Sequence, residues 1–79
     1  MRGKYIIFED PNGLEYPVLL PRVEHWVNHN QISGPGKPVA AGFFTIDGED
    51  IFCTGKSTSL NLSNRGDVDT NLIKKFLQS

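Results

Sequence analysis

The stretch Lys56-Ser57-Thr58-Ser59-Leu60-Asn61-Leu62-Ser63-Asn64-Arg65-Gly66-Asp67 sets a ladder of hydroxyl and amide side chains just before a helix start. Read with period two, Ser57, Ser59 and Asn61 share one strand face while Thr58, Leu60 and Leu62 share the other. Three hydrogen-bonding side chains in succession imply a face that is wet or that holds something polar. Arg65 stands between this strand and a helix N-terminus, where a guanidinium and open N–H groups together suit a phosphate or carboxylate. Asp67 and Asp69 occupy the same neighbourhood and would either repel such an anion or pair with Arg65 themselves. Both readings stand at the level of sequence.

Other chemistry-bearing spacings are weaker. Thr54-Gly55-Lys56-Ser57-Thr58 imitates the end of a P-loop, but that motif needs Gly five residues before Gly55, and Asp50 stands there. His25 and His29 have the i, i+4 spacing of a shared metal or an acid–base pair. A metalloprotease would place Glu after the first His, yet Trp26 follows it, and no third ligand is close in sequence. Two surface histidines flanking a packed Trp is the plainer reading, although Trp26 left exposed would anchor an interface. Arg65-Gly66-Asp67 and Asn61-Leu62-Ser63 match an adhesion tripeptide and a glycosylation acceptor, which matter only outside the cell. Cys53 has no His or acid beside it that would activate a thiol, so it reads as a small buried hydrophobe. No metal and no cofactor is expected.

The elements that position these residues follow from pattern. Lys4 to Glu9 and Leu14 to Leu20 read as two strands joined by Asp10-Pro11-Asn12-Gly13, whose residue order suits a type I turn. Pro17 and Pro21 delete ladder donors, which puts the second strand at a sheet edge or ends it early. Between Pro21 and Ile32, Val23, Trp26 and Val27 fall at i, i+3 and i+4 and favour a short helix, with a strand as the alternative. Ser33 to Pro38 is a loop. Val39 to Ile46 is a strong strand in which Gly42 marks a bulge or the close approach of another backbone. Asp47-Gly48-Glu49-Asp50 turns it back into Ile51 to Thr54. From Val68, the stripe Val68, Leu72, Ile73, Phe76 and Leu77 predicts a C-terminal helix, with Asp67 as N-cap and Lys74 and Lys75 suited to its later turns.

With 79 residues the chain makes one domain, 1–79, with a thin core and no room for a separate cofactor domain. A formal net charge of -1 provides no overall basic field for duplex nucleic acid. The single Cys excludes an internal disulfide framework. The run before Glu9 and Asp10 is too short for a signal peptide or a membrane span, so a cytoplasmic protein is expected.

The pattern resembles small proteins encoded by bacteriophages and prophages. The likeness runs through Phe8, Pro17-Val18, Pro21, His25, Lys37-Pro38-Val39, Ala41-Gly42-Phe43, Gly55, Ser57, Ser59-Leu60, Leu62, Ser63, Arg65, Asp69 and Leu72-Ile73. Asn61 and Gly66-Asp67 depart from it, where a Gly and a helix-starting Pro are expected. The resemblance implies an accessory protein that works by binding, including counter-defence by covering a host protein or sequestering a nucleotide signal.

The expected fold is therefore α+β: a small antiparallel sheet of four or five strands, a short helix after the first hairpin, and a C-terminal helix packed on the sheet. Open edges favour a homo-oligomer. The expected function is non-catalytic binding of a host protein or a phosphorylated, nucleotide-like ligand, through Arg65, Ser57, Ser59, Asn61, His25 and Trp26. The alternatives are a nucleotide or phosphodiester hydrolase using His25 and His29, and a virion or assembly component.

Overall fold

The structure, a computed structural model, describes residues 1–20, 29, 34 and 36–78. The proposed helix over residues 21–32, with His25 and Trp26 on it, lies outside the described residues apart from His29.

Four strands form one antiparallel sheet: β1 (Arg2–Glu9), β2 (Glu15–Leu20), β3 (Lys37–Asp47) and β4 (Asp50–Thr54), in the order β2-β1-β3-β4. A two-stranded ribbon, β5 (Lys56–Ser57) with β6 (Leu62–Ser63), follows, and then the helix α1 (Asp67–Gln78). The class is α+β.

The first hairpin closes as its residues dictate. Gly13 N–H donates to Asp10 O at 3.0 Å, and Asp10 Oδ1 accepts from the backbone of Asn12 and Leu14, each at 2.9 Å. Gly13 takes φ +85°, a conformation that only glycine enters without strain. β2, which carries Pro17, lies at the sheet edge.

β1 is central, and its run Tyr5-Ile6-Ile7-Phe8 is buried on both sides, because each sheet face has its own cover. On one face Tyr5, Ile7, Ala40 and Phe44 pack with Ile73 of α1; on the other Ile6, Phe8 and Ala41 meet Leu60 and Leu62 of the ribbon. The ribbon is thus the third layer, and its leucines are the reason it docks.

Gly42 is a close approach and not the bulge. A Cβ there would lie 2.6 Å from Thr54 O, whereas the register slips between Ile7 and Phe8, opposite Val39. One expectation is corrected. Ser57, Ser59 and Asn61 do not form one strand face, because β5 ends at Ser57 and the chain turns over Thr58–Asn61 before β6. Asn61 adopts φ +55°, which Asn tolerates better than most residues. A polar run with turn-forming residues makes a tight reversal here in preference to a ladder.

Candidate functional site

Two polar constellations surround the strand-to-helix junction. The first is a buried clamp. Asp69 sits at the third helical position of α1 and is fully buried. It accepts from Tyr5 Oη at 2.5 Å, from the Arg65 backbone N–H at 2.9 Å and from Arg65 Nε at 2.7 Å. The other side of the guanidinium forks onto Glu15, with Nη1 and Nη2 donating at 3.1 and 2.9 Å. Arg65 therefore ties α1 to the edge strand β2, while Asp69 ties it to central β1.

Arg65 and Tyr5 shift in the direction this geometry demands. The Glu15 hydrogen bonds, followed by those of Asp69, hold the Arg65 guanidinium charged far above its ordinary range against an opposing burial effect. Burial, then the bond to Asp69, pushes the Tyr5 phenol well above its ordinary value. Cys53 is half-buried beside this cluster, and burial pushes its thiol up as well. A thiol so shifted is a poor nucleophile at neutral pH. Asp67, expected as the N-cap, is instead the exposed first residue of the helix. It is Asp69 that reaches back to the chain entering the helix, in the manner of a capping box.

The second constellation is on the ribbon. Asn64 closes its neck, since both its backbone N–H, at 3.2 Å, and its Nδ2, at 2.8 Å, donate to Gly55 O. Ser57 is buried, and its Oγ accepts from Leu60 N–H and meets Ser59 Oγ, both at 3.3 Å. That bond shapes the turn and leaves a concavity of about 270 Å³ lined by Lys56, Ser57, Thr58, Asn61, Leu62 and Ser63. Four further surface cavities each have at least one carboxylate among their lining residues, Glu9 and Asp10, Glu49, Asp50 and Asp67, or Glu15. The ribbon cavity has a lysine and no acid. Among the described residues, the side chains of Lys56, Thr58, Asn61 and Ser63 are engaged in no internal hydrogen bond.

The structure thus brings Ser57 and Asn61 into one cavity, with Ser59 bonded to Ser57, and places Arg65 in the clamp. Of the two readings of Arg65, the internal pair is the one present, made with Asp69 and Glu15. His25 and Trp26 lie outside the described residues. His29 is buried; its Nε2 donates to Gly42 O at 2.9 Å and its ring meets Phe43 edge-on at 5.6 Å. A ring so held has no open nitrogen at Nε2 for acid–base work. Among the described residues no group of three or more His, Cys, Asp or Glu is arranged to hold a metal. No helix among them is long and apolar enough to cross a membrane.

Sequence reasoning missed Lys56, Thr58 and Ser63 as lining residues because it treated the run as straight. The signal was Asn61, a residue fit for positive φ between two leucines. It also missed Glu15, which is 50 positions from Arg65, and no local pattern announces a bond of that span. The chain matches no family model, no curated protein and no solved structure.

Proposed function

We propose that this chain is a small cytoplasmic binding protein, without catalysis, that takes the phosphoryl group of a small phosphorylated molecule in the ribbon cavity. One observation carries the reading: a concavity whose lining has an ammonium, hydroxyls and an amide, with no carboxylate to oppose an anion. Its volume of about 270 Å³ falls just below the range for enclosing a whole drug-sized ligand. It suits the phosphoryl end of a nucleotide, with Lys56 as the charge and Thr58, Asn61 and Ser63 as donors. The resemblance to phage-encoded proteins implies counter-defence by covering a host protein or by sequestering a nucleotide signal, and the lining of the cavity favours the second. Hydrolysis by His25 and His29 gains no support from a His29 ring that is buried against Gly42 and Phe43.

Calorimetric titration with inorganic phosphate and a panel of mono-, di- and cyclic nucleotides tests this, alongside native mass spectrometry of the protein from lysate. Binding of at least one of these probes is expected, weakened at least tenfold in Lys56→Ala, whose circular dichroism should match the parent because Lys56 is exposed. Absence of binding at millimolar concentrations, or equal affinity in Lys56→Ala, overturns the reading.

A further inference from the structure

The two edges of the main sheet differ in chemistry. β2 is guarded by Pro17, which has no N–H to offer, and by Glu15, which is held by Arg65. β4 ends the sheet on the other side with Asp50-Ile51-Phe52-Cys53-Thr54, which contains no proline and carries its one charge at the turn end. Phe52 is 55% exposed there. Among the described residues no strand pairs with this edge, and a bare aromatic stands at its centre, which makes it a pairing surface.

We propose that β4 pairs edge to edge with β4 of a second copy of this chain, giving a two-fold dimer with a continuous eight-stranded sheet. The register follows from the hairpin. The two-residue turn makes Asp47 and Asp50 a hydrogen-bonded pair, so Phe52 also bonds inward, to Thr45. The N–H and C=O groups of Ile51 and Cys53 are then the ones that point outward. A two-fold axis at Phe52 sets Ile51 against Cys53 of the second copy and satisfies those groups with four hydrogen bonds. Phe52 falls directly opposite Phe52 as a non-hydrogen-bonded pair, the type that brings side chains closest. Asp50 faces Thr54 and not another carboxylate.

Charge on the helix-bearing face selects the same partner. Lys74, Leu77 and Gln78 share a cavity with Glu49 and Ile51 at the turn end of β4, while Gly66 and Asp67 line the neighbouring one along the strand. α1 therefore runs antiparallel to β4, with its acidic start and its lysine end at opposite ends of the groove. A two-fold axis perpendicular to the sheet exchanges those ends. Asp67 of each copy then comes on the side of Lys74 of the other, so a surface that repels its own translate is complementary to itself.

Sedimentation equilibrium from micromolar to millimolar protein tests the assembly. A dimer of the 8.8 kDa chain is expected, with dissociation raised at least tenfold in Phe52→Lys, which sets two ammonium groups face to face. Lys74→Glu should weaken the dimer, and Asp67→Lys added to it should restore it. In a Cys53→Ser background, Phe52→Cys should form an intermolecular disulfide on mild oxidation, whereas Tyr16→Cys on the other edge should not. A monomer throughout the concentration range overturns the proposal. So do a dimer indifferent to Phe52→Lys and one that cross-links through Tyr16→Cys instead.

Discussion

Replacing Asp69 by Asn keeps the shape of the clamp and removes its charge. The carboxylate is fully buried and receives three hydrogen bonds, two of them from Arg65. Asn offers one acceptor oxygen and presents an NH2 where a second acceptor stood. With the NH2 in place of Oδ2, the Tyr5 hydroxyl can rotate to accept from it but the Arg65 backbone N–H loses its acceptor; with the NH2 in place of Oδ1, the Arg65 Nε–H loses its own. Breaking a buried ion pair from one side costs about 3–5 kcal/mol. Arg65 keeps Glu15, and its side chain is 30% exposed, so its charge is not stranded and the lower end applies, about 3 kcal/mol. For 79 residues the whole stability is roughly 4–12 kcal/mol, so Asp69→Asn should remove a quarter or more of it. Urea unfolding followed by far-ultraviolet circular dichroism reads this directly. With a slope of about 1 kcal/mol per molar urea for so short a chain, the midpoint should fall by about 3 M. Glu15→Gln is the control. Both side chains of that pair are partly exposed, at 30% and 24%, and its loss should cost only about 1 kcal/mol. The reasoning fails if Asp69→Asn lies within 1 kcal/mol of the parent at unchanged slope, a threshold of about the worth of one ordinary hydrogen bond. It fails equally if Glu15→Gln costs as much.

The remaining predictions concern Tyr5 and Gly42. Because burial and Asp69 raise the Tyr5 pKa in the folded state, the stability this group contributes is complete below the unfolded value near 10 and is lost as pH rises beyond it. In a Cys53→Ser, Tyr16→Phe background, which removes the other raised thiol and phenol, stability should fall by about 1.4 kcal/mol per pH unit above pH ~10. Tyr5→Phe should abolish that slope, and parallel slopes would count against the Tyr5–Asp69 bond. Gly42→Ala forces a Cβ to within 2.6 Å of Thr54 O, so β4 must shift outward; a loss of about 1–3 kcal/mol is expected in thermal unfolding, and an unchanged Tm would contradict the packing.

Much of the fold was legible because its signals are local. The Asp10 to Gly13 turn, the edge position of β2, the reversal at Gly48 and the stripe of α1 each follow from residue types within a few positions of one another. The site was legible only in part. The run from Ser57 to Asn61 obeys strand periodicity, yet Asn61 enters the left-handed region and folds the run back on itself. What selects the reversal is tertiary: Leu60 and Leu62 must both reach Ile6, Phe8 and Ala41, which lie under the ribbon. Arg65 posed the same difficulty, because Glu15 comes to it, and Tyr5 to its partner Asp69, from different strands of the first hairpin.

The clamp and the cavity are also one chain segment, which decides how an effect at Arg65 must be read. Asn64 closes the ribbon on Gly55, its Oδ1 accepts from Gly66 N–H at 2.9 Å, and Arg65 between them is fixed at both its backbone and its guanidinium. The ribbon is therefore held by leucines on one sheet face and by an ion pair on the other. A change at Arg65 acts on the cavity through the position of Asn64 and the ribbon neck, without any contact to an anion. A change at Lys56 acts through charge alone, because that side chain is exposed and outside the clamp. The two routes separate in one pair of measurements, since the first lowers the unfolding midpoint together with affinity and the second lowers affinity at constant midpoint.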